Sequence, residues 1–371
     1  MRISVDIGHP AHVHLFRNFI LIMRRRGHIV YITTRRVQSI IDLLNIYKIN
    51  YFSIGKKPDS LIFKYIYQLY SVLKLIYITI RYKIEIGLGV SMTLPIASKF
   101  TKMKCIGLDD DDKLVTPVFA KYIAMSDVII TPECLLFEKR GVNHITHKSF
   151  HELAYLHPNR FKPESTILDE VDLNEEAPFF IMRFNIFKAH HDKGIQGLSL
   201  KQKLVLIQVL KDYGKIFITT EREIEPELKN FQLKISPDKI HSLIHYATML
   251  IGDSQTMTSE SAVLGIPAIR MNSFVGRISY LEEEEHKYAL TYGFKPDQFD
   301  EMILKIEELL KMPNLKQEWQ KRRKKMLEDK IDITAFLVWF VENYPNSAKI
   351  MKENPDYQYR FKGQKSEDRI Q

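Results

Sequence analysis

Two short stretches of this 371-residue chain carry residue types arranged for chemistry. The first is Gly252–Arg270, GDSQTMTSESAVLGIPAIR. Asp253, Ser254, Gln255 and Thr256 stand between a short apolar run ending in Gly252 and a helix-forming run, and Ser, Thr and Asp are residues that begin helices. A helix start offers unpaired N–H groups and the positive end of a dipole, which together make an anion site. Ser254 and Thr256 would add hydroxyl donors to a diphosphate. Ser259 and Glu260 follow on the first turn, where a carboxylate can accept hydrogen bonds from two ribose hydroxyls. The same residues also serve plain helix starts that hold no ligand. The second stretch is Gly8–His14, GHPAHVH. Gly8 permits close backbone approach to a ligand. His9, His12 and His14 bring imidazoles, whose ordinary pKa suits taking a proton from a hydroxyl near neutral pH. His12 is the first choice for such a base and His9 the second, with helix capping as the competing role. The HxHxH-like spacing invites a metal ion, but no acidic or Cys ligand is close in sequence, so no metal is assigned. The stretch is not GxGxxG, so a dinucleotide site is unsupported.

Other candidates are single residues or runs. Arg183 ends a strand-like segment, and arginine suits bidentate phosphate contact. Asp109–Asp112 puts four carboxylates at a strand end; such a run is usually a solvated loop, with Asp109 or Asp110 the members that could meet a sugar hydroxyl. Lys321–Lys325, KRRKK, reads as the wet face of a helix more readily than as a nucleic-acid or lipid patch. The aromatic and basic helix near Leu61–Tyr82 either faces the core of its domain or rests on a bilayer surface. Lys64, Gln68 and Lys74 interrupt it too often for a membrane span.

The elements around these residues alternate. RISVDI at 2–7 reads as a buried strand, Leu15–Arg26 as a helix closed by Gly27, and HIVYIT at 28–33 as a second strand. That is a βαβ unit from the first residues, and such units build parallel sheets. The pattern continues to Pro132, giving about six β/α units and one doubly wound domain. Residues 141–177 are irregular and read as the end of that domain and a linker. A second series runs through strands at Phe179–Arg183, Lys215–Thr220, Met249–Gly252 and Pro267–Met271. An apolar helix, Thr334–Tyr344, follows the capping-type Asp332. Beyond about Pro345 the chain is polar and charged and reads as a frayed tail.

Bulk properties exclude little. There are 54 basic and 45 acidic residues, a net charge of +9, which favours anionic partners without choosing among them. Composition is that of a globular protein with room for two cores. Two cysteines outside any CxxC pattern suit a reducing cytoplasm, and no signal-peptide pattern opens the chain.

The order small-polar loop, helix with Glu260, then Gly265-x-Pro267 and a strand resembles the donor-site element of GT-B proteins. It is similar to that of the peptidoglycan N-acetylglucosaminyltransferase and of UDP-GlcNAc 2-epimerase. Over nearly the whole chain, DIGHPAHVHLF, HELAYLHPNRF and GDSQTMTSESAVLGIPAIR resemble prokaryotic domain-of-unknown-function family 354, itself GT-B-like. The resemblance implies an α/β, GT-B-like fold, two Rossmann-like domains with parallel sheets facing a central cleft. It implies an acceptor-side domain over 1–165, a nucleotide-sugar donor domain over 166–330, a helix at 331–345 crossing back to domain one, and a polar tail at 346–371. Gly252, Asp253, Ser254, Gln255, Thr256, Ser259 and Glu260 would hold the donor, with Arg222 near the base. Arg183 would steady the departing diphosphate beneath a flap at Ala189–Gly194. Gly8, His14, Asp109 and Asp110 would face the acceptor, with His12 or His9 as base. The implied activity is sugar transfer from a nucleoside diphosphate to a glycan or lipid-linked acceptor in surface polysaccharide synthesis. It would need no cofactor and no metal, and would act in the cytoplasm or at the anionic inner face of the membrane, with no specific nucleic acid. The alternatives are a nucleotide-sugar epimerase and a non-catalytic nucleotide- or polyanion-binding protein.

Overall fold

The structure, a computed structural model, describes residues 1–56, 58, 61–184, 197–220 and 223–363. It divides into two compact units, residues 1–160 with 330–371, and residues 161–329.

Among the described residues unit 1 holds seven strands: β1 (Arg2–Ile7), β2 (Ile29–Thr34), β3 (Phe52–Ser53), β4 (Ile86–Gly89), β5 (Lys104–Leu108), β6 (Val128–Pro132) and β7 (His144–His147). Their order is β3-β2-β1-β4-β5-β6-β7 and every pairing is parallel. Residues 3–7 of β1 are buried on both faces, as a central parallel strand covered by helices requires. The order reverses between β1 and β4, so the loops after Ile7 and Gly89 part there. At such a reversal an open α/β sheet binds its ligand.

Unit 2 holds β8 (Phe179–Phe184), β9 (Lys215–Thr220), β10 (Met249–Gly252), β11 (Ala268–Met271) and β12 (Thr291–Phe294), ordered β12-β11-β10-β8-β9 and again all parallel. Its reversal lies between β8 and β10, beside Gly252.

Sequence reading overlooked two strands. β7 reads HITH, with one apolar residue in four, and falls in the irregular stretch 141–177 that reads as the end of the first domain and a linker. β12 reads TYGF and is interrupted by glycine. Both are sheet edges, where the apolar signal is weakest.

The segment from Pro345 also departs from expectation. It is not a frayed tail: Asn346–Glu353 is helical and Pro355–Phe361 forms a 3-10 helix. Tyr357 stacks on Trp339 with ring centroids 4.9 Å apart, and the Gln358 side chain accepts from the Lys148 N–H at 2.7 Å. Aromatic residues spaced among the charges supply the burial that composition hides.

The helix Ile333–Glu342 belongs to unit 1 and packs on the helices Pro10–Arg25 and Leu153–Leu156. Asp332 caps it, accepting from Ala335 N–H at 3.1 Å. The same buried carboxylate pairs with Arg160 at 2.7 Å and accepts from Asn159 at 3.2 Å.

Candidate functional site

In unit 1 the carboxyl ends of β1, β4, β5 and β7 carry a cluster of titratable groups. Asp6, near the end of β1, accepts from Thr33 Oγ1 at 2.7 Å and from Ser91 Oγ. Ser91 in turn accepts from the N–H groups of Thr93 and Leu94, at 3.1 and 3.2 Å. This buried chain ties β2, β1 and the loop after β4 together at the reversal point. Burial raises the Asp6 pKa.

His9 is the N-cap of the helix Pro10–Arg25; its Nδ1 accepts from Ala11 N–H at 3.2 Å. His12 lies one turn on, 5.8 Å from His9 between ring centroids. Its Nδ1 accepts from the Gly8 N–H at 3.2 Å, so the neutral ring carries its proton on Nε2. Burial, with His9 beside it, lowers its pKa to about 3. At neutral pH His12 is therefore an uncharged ring presenting an N–H donor. His14 faces inward, packed between the rings of Tyr47 and Tyr155, 5.9 and 5.3 Å away.

The four aspartates separate by role. Asp109 is buried and bound to Arg140, which also grips Glu138 and the Asp111 carbonyl. Burial pushes the Asp109 pKa up to about 6 despite that cation. Burial and the neighbouring carboxylates raise Asp111 further. Asp110 turns the other way, its Oδ2 lying 3.0 Å from His151 Nδ1. Burial opposes both charges, but the pairing outweighs it: the Asp110 pKa is lowered and the His151 pKa raised. Nε2 of His151 is buried with no hydrogen-bond partner. His147 stacks on His151 at 5.6 Å. His12 interacts electrostatically with both Asp110 and His151. The loop bearing His151 is fixed from the chain's far end: Ser149 Oγ donates to Ile331 O at 2.8 Å, and Ile331 N to Lys148 O at 2.9 Å.

In unit 2 the corresponding end is built from backbone. A Cβ at Gly252 would lie 2.0 Å from the Arg183 carbonyl oxygen, so glycine alone lets the ends of β8 and β10 meet. Asp253 N–H donates to that carbonyl at 3.1 Å, and Asn272 Nδ2 holds the Asp253 carbonyl at 2.9 Å. Ser254 is the N-cap of the helix Gln255–Leu264, its hydroxyl accepting from Met257 N–H. Gly265, at φ +73°, closes that helix. Glu260 is buried with Oε1 2.9 Å from His241 Nε2. Ser259 Oγ donates to Glu284 Oε1 at 2.5 Å. Arg183 Nη1 donates to Thr219 Oγ1 at 3.1 Å.

The structure thus groups His12 and Asp110 at the carboxyl end of the unit 1 sheet, and Gly252, Asp253, Ser254, Gln255 and Thr256 at that of the unit 2 sheet; Ser259 and Glu260 fall on the second turn of the helix, not the first, because the helix starts at Gln255. The structure turns His14, Asp109 and Ser259 inward to their own partners. Arg222 and the Ala189–Gly194 flap lie outside the described residues. Sequence reading missed His151 and His241. His151 opens the HELAYLHPNRF run, but its partner lies 41 positions earlier, and no local spacing connects them. Among the described residues, no three His, Cys, Asp or Glu side chains are arranged to hold a metal ion. An open cavity of about 430 Å³ lies at the opposite, amino ends of β1 and β2, lined by Met1, Arg2, Gly27, Ile29, Lys83 and Glu85, away from this chemistry.

Solved structures share this architecture. S. aureus MnaA, in a structure with UDP, matches with a TM-score of 0.65 at 12% identity, covering 93% of this chain and 97% of that one. The UDP-GlcNAc 2-epimerase of Neisseria meningitidis, bound to UDP-GlcNAc, matches at 0.65 and 12%, covering 96% and 99%. The glycosyltransferase SsfS6 of Streptomyces sp. SF2575 matches at 0.58 and 10%, covering 92% and 100%. Identities this low show the fold, and that fold is the GT-B one. The family described as "Protein of unknown function (DUF354)" matches residues 1–339, and the chain belongs to it. The uncharacterized protein MJ0665 of Methanocaldococcus jannaschii is 25% identical over 301 residues, 76% of this chain and 85% of that protein.

Proposed function

We propose that this chain is a glycosyltransferase that moves a sugar from a nucleoside diphosphate to a hydroxyl of a glycan or lipid-linked acceptor. The observation that carries this reading is the Asp110–His151 pair at the carboxyl ends of the unit 1 strands. A carboxylate on Nδ1 orients the ring, and in its neutral form the Nε2 lone pair has no protein partner, the arrangement of an oriented general base. The acceptor oxygen attacks the anomeric carbon, its proton passes to His151 Nε2, and the bond to the diphosphate breaks with the electron pair leaving on the nucleotide. His12, with its proton on Nε2, acts as a hydrogen-bond donor in this scheme rather than as the base.

The donor falls to Gly252–Glu260. The diphosphate meets the first N–H groups of the helix Gln255–Leu264, and Glu260, held by His241, takes the ribose hydroxyls. Arg183 offsets the charge that grows on the departing diphosphate. No metal enters these steps. Two of the structural neighbours carry UDP or UDP-GlcNAc, which supports a nucleoside diphosphate as the ligand class. Cytoplasmic action in surface polysaccharide synthesis belongs to the same reading, and the two cysteines Cys105 and Cys134, which form no disulfide, suit it.

Thermal unfolding with UDP, GDP, CDP and their sugars tests the proposal. One base should raise Tm, since a ligand of the native state stabilises it, and Glu260→Ala should remove the rise. No rise with any nucleotide sinks the reading. A second reading, epimerisation of the nucleotide sugar, is favoured by one observation: His12 offers a donor beside the acceptor His151. Conversion of UDP-GlcNAc without any acceptor would establish it over transfer.

A further inference from the structure

Among its described side chains, the helix Leu61–Tyr82 is buried along one face. Val72, Leu75 and Ile78 pack into unit 1, with Leu75 and Ile78 in a cluster with Leu94, Ala97 and Met103. Its opposite face is apolar as well, and bare. Phe63, Ile66, Tyr70, Leu73, Tyr77 and Ile80 are each 48–65% exposed. They recur at steps of three and four residues, so they form one stripe about 26 Å long at 1.5 Å per residue. Contiguous exposed apolar surface of this kind marks an interaction site, unlike single apolar residues scattered over a surface.

The charges say what covers it. Residues 60–84 hold Lys64, Lys74, Arg81 and Lys83 and no Asp or Glu. A second copy of the chain would bring cations against cations with no carboxylate to oppose them. An anionic surface would complement all four. Among the described residues no helix is long and apolar enough to cross a membrane. The remaining geometry is a helix lying in the plane of the interface, its stripe in the acyl boundary and its cations at the headgroups. Phe100, 69% exposed between Lys99 and Lys102, is a further apolar side chain at the end of the helix packed against this one.

We infer that the Leu61–Tyr82 face is a docking surface for an anionic phospholipid bilayer. This inference does not rest on sugar transfer, and the two fail separately.

Cosedimentation of the full chain with vesicles tests it. The protein should pellet with phosphatidylglycerol–phosphatidylcholine vesicles at low salt, and much less with phosphatidylcholine alone. Added salt should release it. Leu73→Glu with Tyr77→Glu should lower the partition at least about tenfold. Arg81→Glu with Lys83→Glu should lower it by a similar factor on anionic vesicles only. All four positions are exposed, and if the first pair lowers Tm, the second pair decides. Glu260→Ala should bind vesicles as the wild type does. Three results overturn the inference: no pelleting with anionic vesicles, pelleting that neither double variant changes, or a dimer in solution that Leu73→Glu with Tyr77→Glu dissolves.

Discussion

The two units present their carboxyl strand ends in different materials. In unit 2 the candidate site is one stretch of chain, Gly252–Glu260, and its working parts are backbone N–H groups, a cap and one carboxylate. In unit 1 the candidate site is assembled from His12, Asp110 and His151, one side chain from a helix start and two from loops, whose pKa values the surroundings displace in different directions. A binding site can be local because helix geometry alone supplies its donors. A proton-transfer site cannot, because the tuning of one titratable group requires another brought to it from elsewhere.

The largest break in this comparison should come from Gly252→Ala. The new methyl would meet the Arg183 carbonyl at 2.0 Å, and unit 2 should lose about 3 kcal/mol or more. The chain has two tryptophans, Trp319 in unit 2 and Trp339 in unit 1. Fluorescence of Trp319 in a Trp339→Phe background would follow unit 2 alone, and an unchanged unfolding midpoint would refute the close approach.

Asp110→Asn should leave nucleotide binding intact and lower turnover by about 10²–10⁴. Without its anion, His151 loses the partner that raises its pKa, so the acid limb of the pH–rate profile should move to lower pH. Loss of nucleotide binding in this variant would mean that the two sites do not divide the work.

His12→Asn probes the tuning itself. The folded ring resists protonation until about pH 3, whereas the unfolded ring takes a proton below about 6.5. The unfolded state thus binds more protons in that window, and stability falls as pH falls from 6.5 toward 3. The slope from this one group is at most about 1.4 kcal/mol per pH unit. The Tm advantage of wild type over His12→Asn should therefore shrink between pH 6.5 and 4; a constant gap would remove burial as the cause. The smallest effect belongs to Ser254→Ala, about 1 kcal/mol from the lost cap, read from the same Trp319 signal.

The same contrast explains what sequence could tell. The α/β alternation, the strand Met249–Gly252, the helix start after Ser254 and the cap at Asp332 are encoded within a few residues, and they were legible. β7 and β12 were not, because edge strands need little apolar character. The order of Asn346–Phe361 was hidden because its aromatic anchors sit among charges. Asp109 and Asp110 are adjacent and chemically identical, and only Arg140 and His151, distant in sequence, separate a structural carboxylate from a candidate functional one. His9 and His12 likewise differ by what their Nδ1 atoms accept from, a cap N–H in one and the Gly8 N–H in the other.

Arg160 and Asp332 stand at the points where the chain leaves unit 1 and comes back to it, and they are bonded to each other. Unit 2 is thus one uninterrupted insert, while unit 1 is written in two instalments. During synthesis, unit 2 has all of its sequence before the ribosome has made the helix Ile333–Glu342. Unit 1 lacks that helix until then, and the apolar face of Pro10–Arg25 that it covers stays open. A chain halted just after Asp329 would contain the whole sequence of unit 2 and only the first instalment of unit 1.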